Sequence, residues 1–143
     1  MQTLEDIKQQ LKVVLANRPS VSIDLLFITV NTFNALPELM QDGEVIKGYC
    51  LGLVDQRQVQ TPSGVWLVVC TNLRVLFVKK GLVSGVNHFS FPLESITTYT
   101  PKTGWFFGEV NLIAAGSAIQ ISQIGKADFR FFAETMKELL SKK

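Results

Sequence analysis

The stretch VVCTNLRVLFVKK, residues 68–80, decides how the chain is read. Apolar runs at 68–70 and 75–78 are separated by the polar cluster Thr71-Asn72-Leu73-Arg74. Two apolar runs around a short polar break are the pattern of a β-hairpin. In such a turn Asn tolerates positive φ, and Thr or Asn bonds the local backbone. The cluster is therefore expected to be a turn rather than a reactive site. Arg74, opening the second strand, is expected to bond carbonyls or a carboxylate such as Glu94.

Outward from this hairpin, short strand-like segments recur at 45–53, 65–70, 73–78, 88–91, 96–100, 107–114 and 118–121. Pro62-Ser63-Gly64, Gly81, Gly85, Thr103-Gly104 and Gly116-Ser117 punctuate them. Regular short strands of this kind predict an antiparallel sandwich or barrel. The chain then closes on a helix with Phe129, Phe132, Ala133, Met136 and Leu140 along one side and Arg130, Glu134, Lys137 and Glu138 along the other. An apolar stripe that wide needs cover.

Residues 1–41 read as a helical pair. Thr3 and Asp6 form a capping-box pattern, and Leu4, Ile7, Leu11, Val14 and Leu15 share a helical face. Arg18-Pro19-Ser20 breaks the pattern. Ser20 or Ser22 is expected to cap a second helix carrying Leu25, Ile28, Thr32, Phe33 and Leu36, which ends near Gln41-Asp42-Gly43.

Composition narrows the function classes. Of 143 residues 47% are apolar and ten are Phe, enough for a core without metal or disulfides. A net charge of +2 with mixed signs argues against a nucleic-acid binder. Cys50 and Cys70 sit in apolar runs and read most simply as small buried hydrophobes, a disulfide between neighbouring strands being the alternative. The segment MQTLEDIKQQLKVV is amphipathic and carries acids, unlike a signal peptide, and the apolar-rich uncharged stretch 25–36 is shorter than a bilayer span. A cytoplasmic location is expected.

Reactive constellations are not evident. His88 is the one histidine and has no apparent carboxylate partner or nearby nucleophile. Cys50, Cys70 and His88 lack metal-ligand spacing, and Gly125-Lys126-Ala127 lacks the hydroxyl of a phosphate loop. No catalytic residue, cofactor, metal or small-molecule substrate is expected.

Four motifs carry a resemblance. Asp42-Gly43-Glu44-Val45-Ile46, the hairpin at 69–77, Phe91-Pro92-Leu93-Glu94-Ser95-Ile96 and Gly108-Glu109-Val110 are similar, in order and spacing, to bacterial pleckstrin-homology-like domains of the YokE-like group. The likeness covers about residues 39–140. It implies a mainly β, α+β fold: a seven-stranded antiparallel barrel or sandwich capped by a C-terminal helix at 42–143, preceded by the helical extension at 1–41. It carries no shared activity. The reading it supports is a non-catalytic binding module for protein–protein contact or homo-oligomeric assembly, with the N-terminal helices packing either on their own domain or between subunits. Peripheral binding of anionic phospholipid headgroups is the alternative, with Lys47, Arg57, Lys79 and Lys80 as contacts at ~1 kcal/mol each. Trp105-Phe106-Phe107 is the remaining unusual stretch. Strand alternation would bury Phe106 and expose Trp105 and Phe107 as a partner or oligomer surface, whereas cover by the N-terminal helices would hide all three.

Overall fold

The run VWLVVC, residues 65–70, shows no polar alternation, and a strand of that composition needs cover on both faces. A computed structural model shows how it is covered; it describes residues 1–16, 26–27, 30–57, 59–81 and 85–142. Helix α1 (Leu4–Val14), a 3-10 segment (Asn31–Ala35) and the single turn α2 (Leu36–Leu39) come first. Seven strands follow: β1 (Ile46–Gln56), β2 (Val65–Thr71), β3 (Arg74–Lys80), β4 (Val86–Pro92), β5 (Ile96–Thr103), β6 (Phe107–Ala114) and β7 (Ser117–Gly125). Helix α3 (Lys126–Ser141) completes the chain.

The strands form one antiparallel sheet in the order β4-β3-β2-β1-β7-β6-β5. Strand β1 joins its two halves, pairing with β2 from Ile46 to Leu53 and with β7 from Leu53 to Gln56. Trp66, Val68, Cys70 and Phe77 point to the inner core, where they join Val110, Leu112, Ile119 and Ile121 from the other half. Phe129, Phe132 and Met136 of α3 enter the same core, as the helical stripe requires. The Tyr99 hydroxyl donates to the Ala133 carbonyl at 3.3 Å, tying β5 to α3.

Alternate residues of β2 and β3, Leu67, Val69, Leu76 and Val78, face the other way. Ile7 and Leu11 of α1, with Phe33 and Leu36, cover them. Helix α1 therefore packs on its own sheet, one of the two placements the sequence leaves open. Thr3 caps α1 as expected: its Oγ1 accepts from the Asp6 N–H at 3.2 Å, and Asp6 Oδ2 accepts from the Thr3 N–H at 2.8 Å. The second helix differs from expectation over 31–39, where the chain is a 3-10 segment followed by one α turn. Pro37 contributes no N–H to a continuing ladder and suits only a helix start. The expected break at Arg18-Pro19-Ser20, the caps at Ser20 or Ser22, and Leu25 and Ile28 lie outside the described residues.

The polar cluster is a turn, and Thr71 bonds the local backbone as expected, while the positive φ expected at Asn72 is not used. Thr71 Oγ1 accepts from the Leu73 and Arg74 N–H groups, each at 3.1 Å. Asn72 does not use a left-handed conformation; among the described residues Ala115 and Gln123 are the non-glycine positions that do. Instead, Asn72 Oδ1 accepts from the Val45 N–H at 2.7 Å and pins the lead-in to β1.

The carboxylate held by Arg74 is Glu44, not Glu94. Arg74 Nε donates to Glu44 Oε2 at 2.8 Å and Nη2 to Oε1 at 3.0 Å, while Nη2 also donates to the Leu39 carbonyl at 2.6 Å. The Thr71 hydroxyl donates to Glu44 Oε2 at 2.7 Å, and the Gln41 N–H to Oε1 at 3.0 Å. Gln2 donates to the Glu44 carbonyl at 2.7 Å, and Gln10 Oε1 accepts from the Ile46 N–H at 2.9 Å, so α1 is tied to the same knot. Glu44 is fully buried. Burial alone would raise its pKa, but the bonds from Arg74, Gln41 and Thr71 outweigh it and hold the carboxyl below the usual range.

Candidate binding surface

Two-residue hairpin turns ordinarily carry Gly, Asn or Asp, because those residues fit the backbone and solvent. The turn between β5 and β6 carries Trp105 and Phe106 instead. Thr103 pairs with Gly108, and the Gly104 N–H donates to the Phe107 carbonyl at 2.9 Å. A Cβ on Gly104 would lie 2.7 Å from that carbonyl oxygen, so the turn closes only on glycine. Trp105 is 90% exposed, Phe106 78% and Phe107 52%.

The base of this hairpin is fixed. Phe107 pairs with Gly125 at the end of β7. Gly108 lies under the Phe129 ring of α3, so closely that a Cβ there would sit 2.1 Å from the ring. The aromatic tip thus projects from a clamped support. Lys102 on β5 pairs in register with Glu109, whose carboxylate accepts from Asn111 Nδ2 at 2.9 Å. Lys126 and Arg130 are exposed at the start of α3, with the half-buried Asp128 between them.

Phe106 corrects the sequence reading. It was expected to be buried by alternation, but β6 begins at Phe107 and Phe106 belongs to the turn, where alternation does not apply. Trp105 and Phe107 are exposed, and the described residues of the N-terminal segment, which lie over β1 to β3, cover none of the three.

The four basic residues do not form one cradle. Lys47 stands near the start of β1, level with the β2–β3 turn, and Arg57 follows the other end of β1. Ten residues of largely extended chain between them amount to roughly 30 Å. Lys79 and Lys80 are neighbours at the far end of β3. Lys47 lines a hollow with Glu134 and Glu138, and Arg57 lines another with Asp55, so each has acids beside it.

Cys50 and Cys70 are free, buried thiols. Burial, foremost, raises the pKa of both. His88 is exposed on β4, opposite Val78. Among the described residues, no cluster of three His, Cys, Asp or Glu is placed to hold a metal, and no helix is long and apolar enough to cross a membrane.

Seven antiparallel strands and a C-terminal helix packed into their core define a pleckstrin-homology fold, typically a binding module. The family model described as the bacterial PH domain matches residues 40–138, and the chain belongs to that family. That match does not single out the YokE-like group. Two solved structures share the fold. One is a DUF1696-family protein with a pleckstrin-homology domain from Shewanella loihica PV-4, at 22% identity and TM-score 0.51, covering 84% of this chain and 98% of that one. The other is a pleckstrin-homology domain from Shewanella amazonensis SB2B, at 18% identity and TM-score 0.50, covering 74% and 92%. A search of curated proteins finds no match.

Proposed function

We propose that this protein is a non-catalytic binding module whose contact surface is the Trp105-Phe106-Phe107 tip. The observation that carries this reading is the exposure of three consecutive aromatics on a hairpin clamped to α3. A pair of aromatics in a tight turn breaks the local sequence preference without any packing gain, and such violations concentrate at functional sites. The family supports a binding role and does not specify the partner. Assembly through the N-terminal helices loses its motive, because α1 is already buried against its own sheet. A headgroup site built from Lys47, Arg57, Lys79 and Lys80 is weakened because Lys47 stands at the opposite end of its strand from Arg57 and level with the β2–β3 turn, away from Lys79 and Lys80.

The test is the double substitution Trp105→Ser/Phe106→Ser in the full chain. Its melting temperature is expected to match the wild type, since exposed substitutions change stability by only about 0.5 kcal/mol. Association that the wild type shows in sedimentation velocity or with vesicles is expected to disappear. Association that survives the substitution counts against the tip as the contact surface.

A further inference from the structure

We propose that the tip docks on a lipid bilayer, its rings entering the headgroup region. This inference rests on reading the tip as the binding surface and names the partner class. Shape is the first argument. Trp105 and Phe106 occupy the apex of a hairpin turn and project outward, and a projecting aromatic pair can enter a soft interface that has no preformed pocket.

Area is the second argument. At 150–250 Å² per aromatic side chain, the exposed parts of the three rings offer about 300–550 Å². A stable protein interface buries about 800 Å² on each partner. The tip alone falls short of that, whereas shallow insertion at an interface scales with whatever apolar area is offered.

Chemistry is the third. Trp and Phe rings favour the membrane–water boundary, and Lys stems can lie along apolar surface with the ammonium at phosphate level. Lys102 leads into the tip and Lys126 follows Gly125, the register partner of Phe107. Arg130 adds a charge one turn along, while Glu109 and Asp128 oppose these three and leave the neighbourhood only weakly positive. The attachment is therefore chiefly apolar. It should tolerate salt and zwitterionic lipid, unlike headgroup capture by scattered lysines, which salt screens.

The experiment uses the full chain with phosphatidylcholine vesicles and with mixed phosphatidylcholine–phosphatidylglycerol vesicles, each at low and high salt. Co-sedimentation is expected with both, persisting at high salt. Tryptophan emission is expected to shift blue and to be quenched by brominated phosphatidylcholine; Trp66 is already in the core, so the change reports Trp105. Trp105→Ser/Phe106→Ser is expected to lose at least ~10-fold in partitioning with its melting temperature retained. Charge reversal of Lys47, Arg57, Lys79 and Lys80 is expected to leave partitioning within about twofold, since these residues lie outside the inserted area.

Lack of binding to either vesicle overturns the inference. So does binding confined to phosphatidylglycerol that salt removes and the tip substitution does not, which would indicate a headgroup site. A lipid-free concentration series separates the two readings. If the wild type ignores vesicles yet self-associates through the tip, the membrane inference falls and the binding-surface reading stands. If the tip substitution changes neither, both fall.

Discussion

Glu44 shows how one residue can hold distant segments together. Its carboxylate and carbonyl receive bonds from Gln2, Gln41, Thr71 and Arg74, which belong to the N-terminal segment, the lead-in to β1 and the β2–β3 turn. Breaking a buried ion pair by removing one partner costs about 3–5 kcal/mol, because the remaining charge stays desolvated. Arg74→Met is therefore expected to lower the unfolding free energy from urea denaturation by about that amount, with Glu44→Gln costing less because it keeps an acceptor and the shape. The pH dependence follows from the direction of the shift. The Glu44 pKa is depressed in the folded protein, so its contribution is complete above the unfolded value of about 4.3 and is lost as pH falls through the folded value. Urea midpoints measured from neutral pH into this acid window should fall more steeply for the wild type than for Glu44→Gln. Parallel curves would contradict the assignment. The sequence displays Glu44, Thr71 and Arg74 as two separate motifs. Nothing in their spacing says that they meet, since the pairing is set by the sheet.

At the scale of an element, the β5–β6 hairpin depends on its contact with α3. Gly108→Ala places a methyl group inside the space of the Phe129 ring, and overpacking of this kind costs about 1–3 kcal/mol. A lower melting temperature is expected, together with faster amide exchange in the hairpin. Unchanged exchange there would mean that the support is not rigid. Strands and the closing helix were legible in the sequence because each depends on its own pattern: VWLVVC bounded by turn residues, and the Phe129, Phe132, Met136 stripe. The site of Phe106 was not. One residue decides whether it belongs to the strand or the turn, and aromatics are poor markers of turns. Likewise Asn72 acts through its side chain bond to Val45, a contact 27 residues away that local turn rules do not contain.

For the whole molecule, β1 to β3 are covered on both faces, by the inner core with α3 on one side and by the N-terminal segment on the other. The apolar face of β2 and β3 opposite the inner core is the surface that the N-terminal apolar stripe covers. Burial of Ile7, Leu11, Phe33 and Leu36 contributes about 1.5–3 kcal/mol each. Together that rivals the 5–15 kcal/mol by which a typical folded chain of this size is stable, as an order of magnitude of about ten. Deleting residues 1–41 is therefore expected to abolish cooperative urea unfolding and expose a sticky sheet face. A truncated chain with the full-length midpoint would show that the segment is dispensable.

In the isolated protein the aromatic tip is uncovered and open to a partner. Acrylamide quenching of tryptophan fluorescence tests it most directly, because Trp66 and Trp105 are the chain's two tryptophans and differ in exposure, 1% against 90%. Two populations are expected, one shielded and one freely quenched, with the quenched one missing in Trp105→Ser. A single shielded population would contradict it, since the tip would then be covered before any partner arrives.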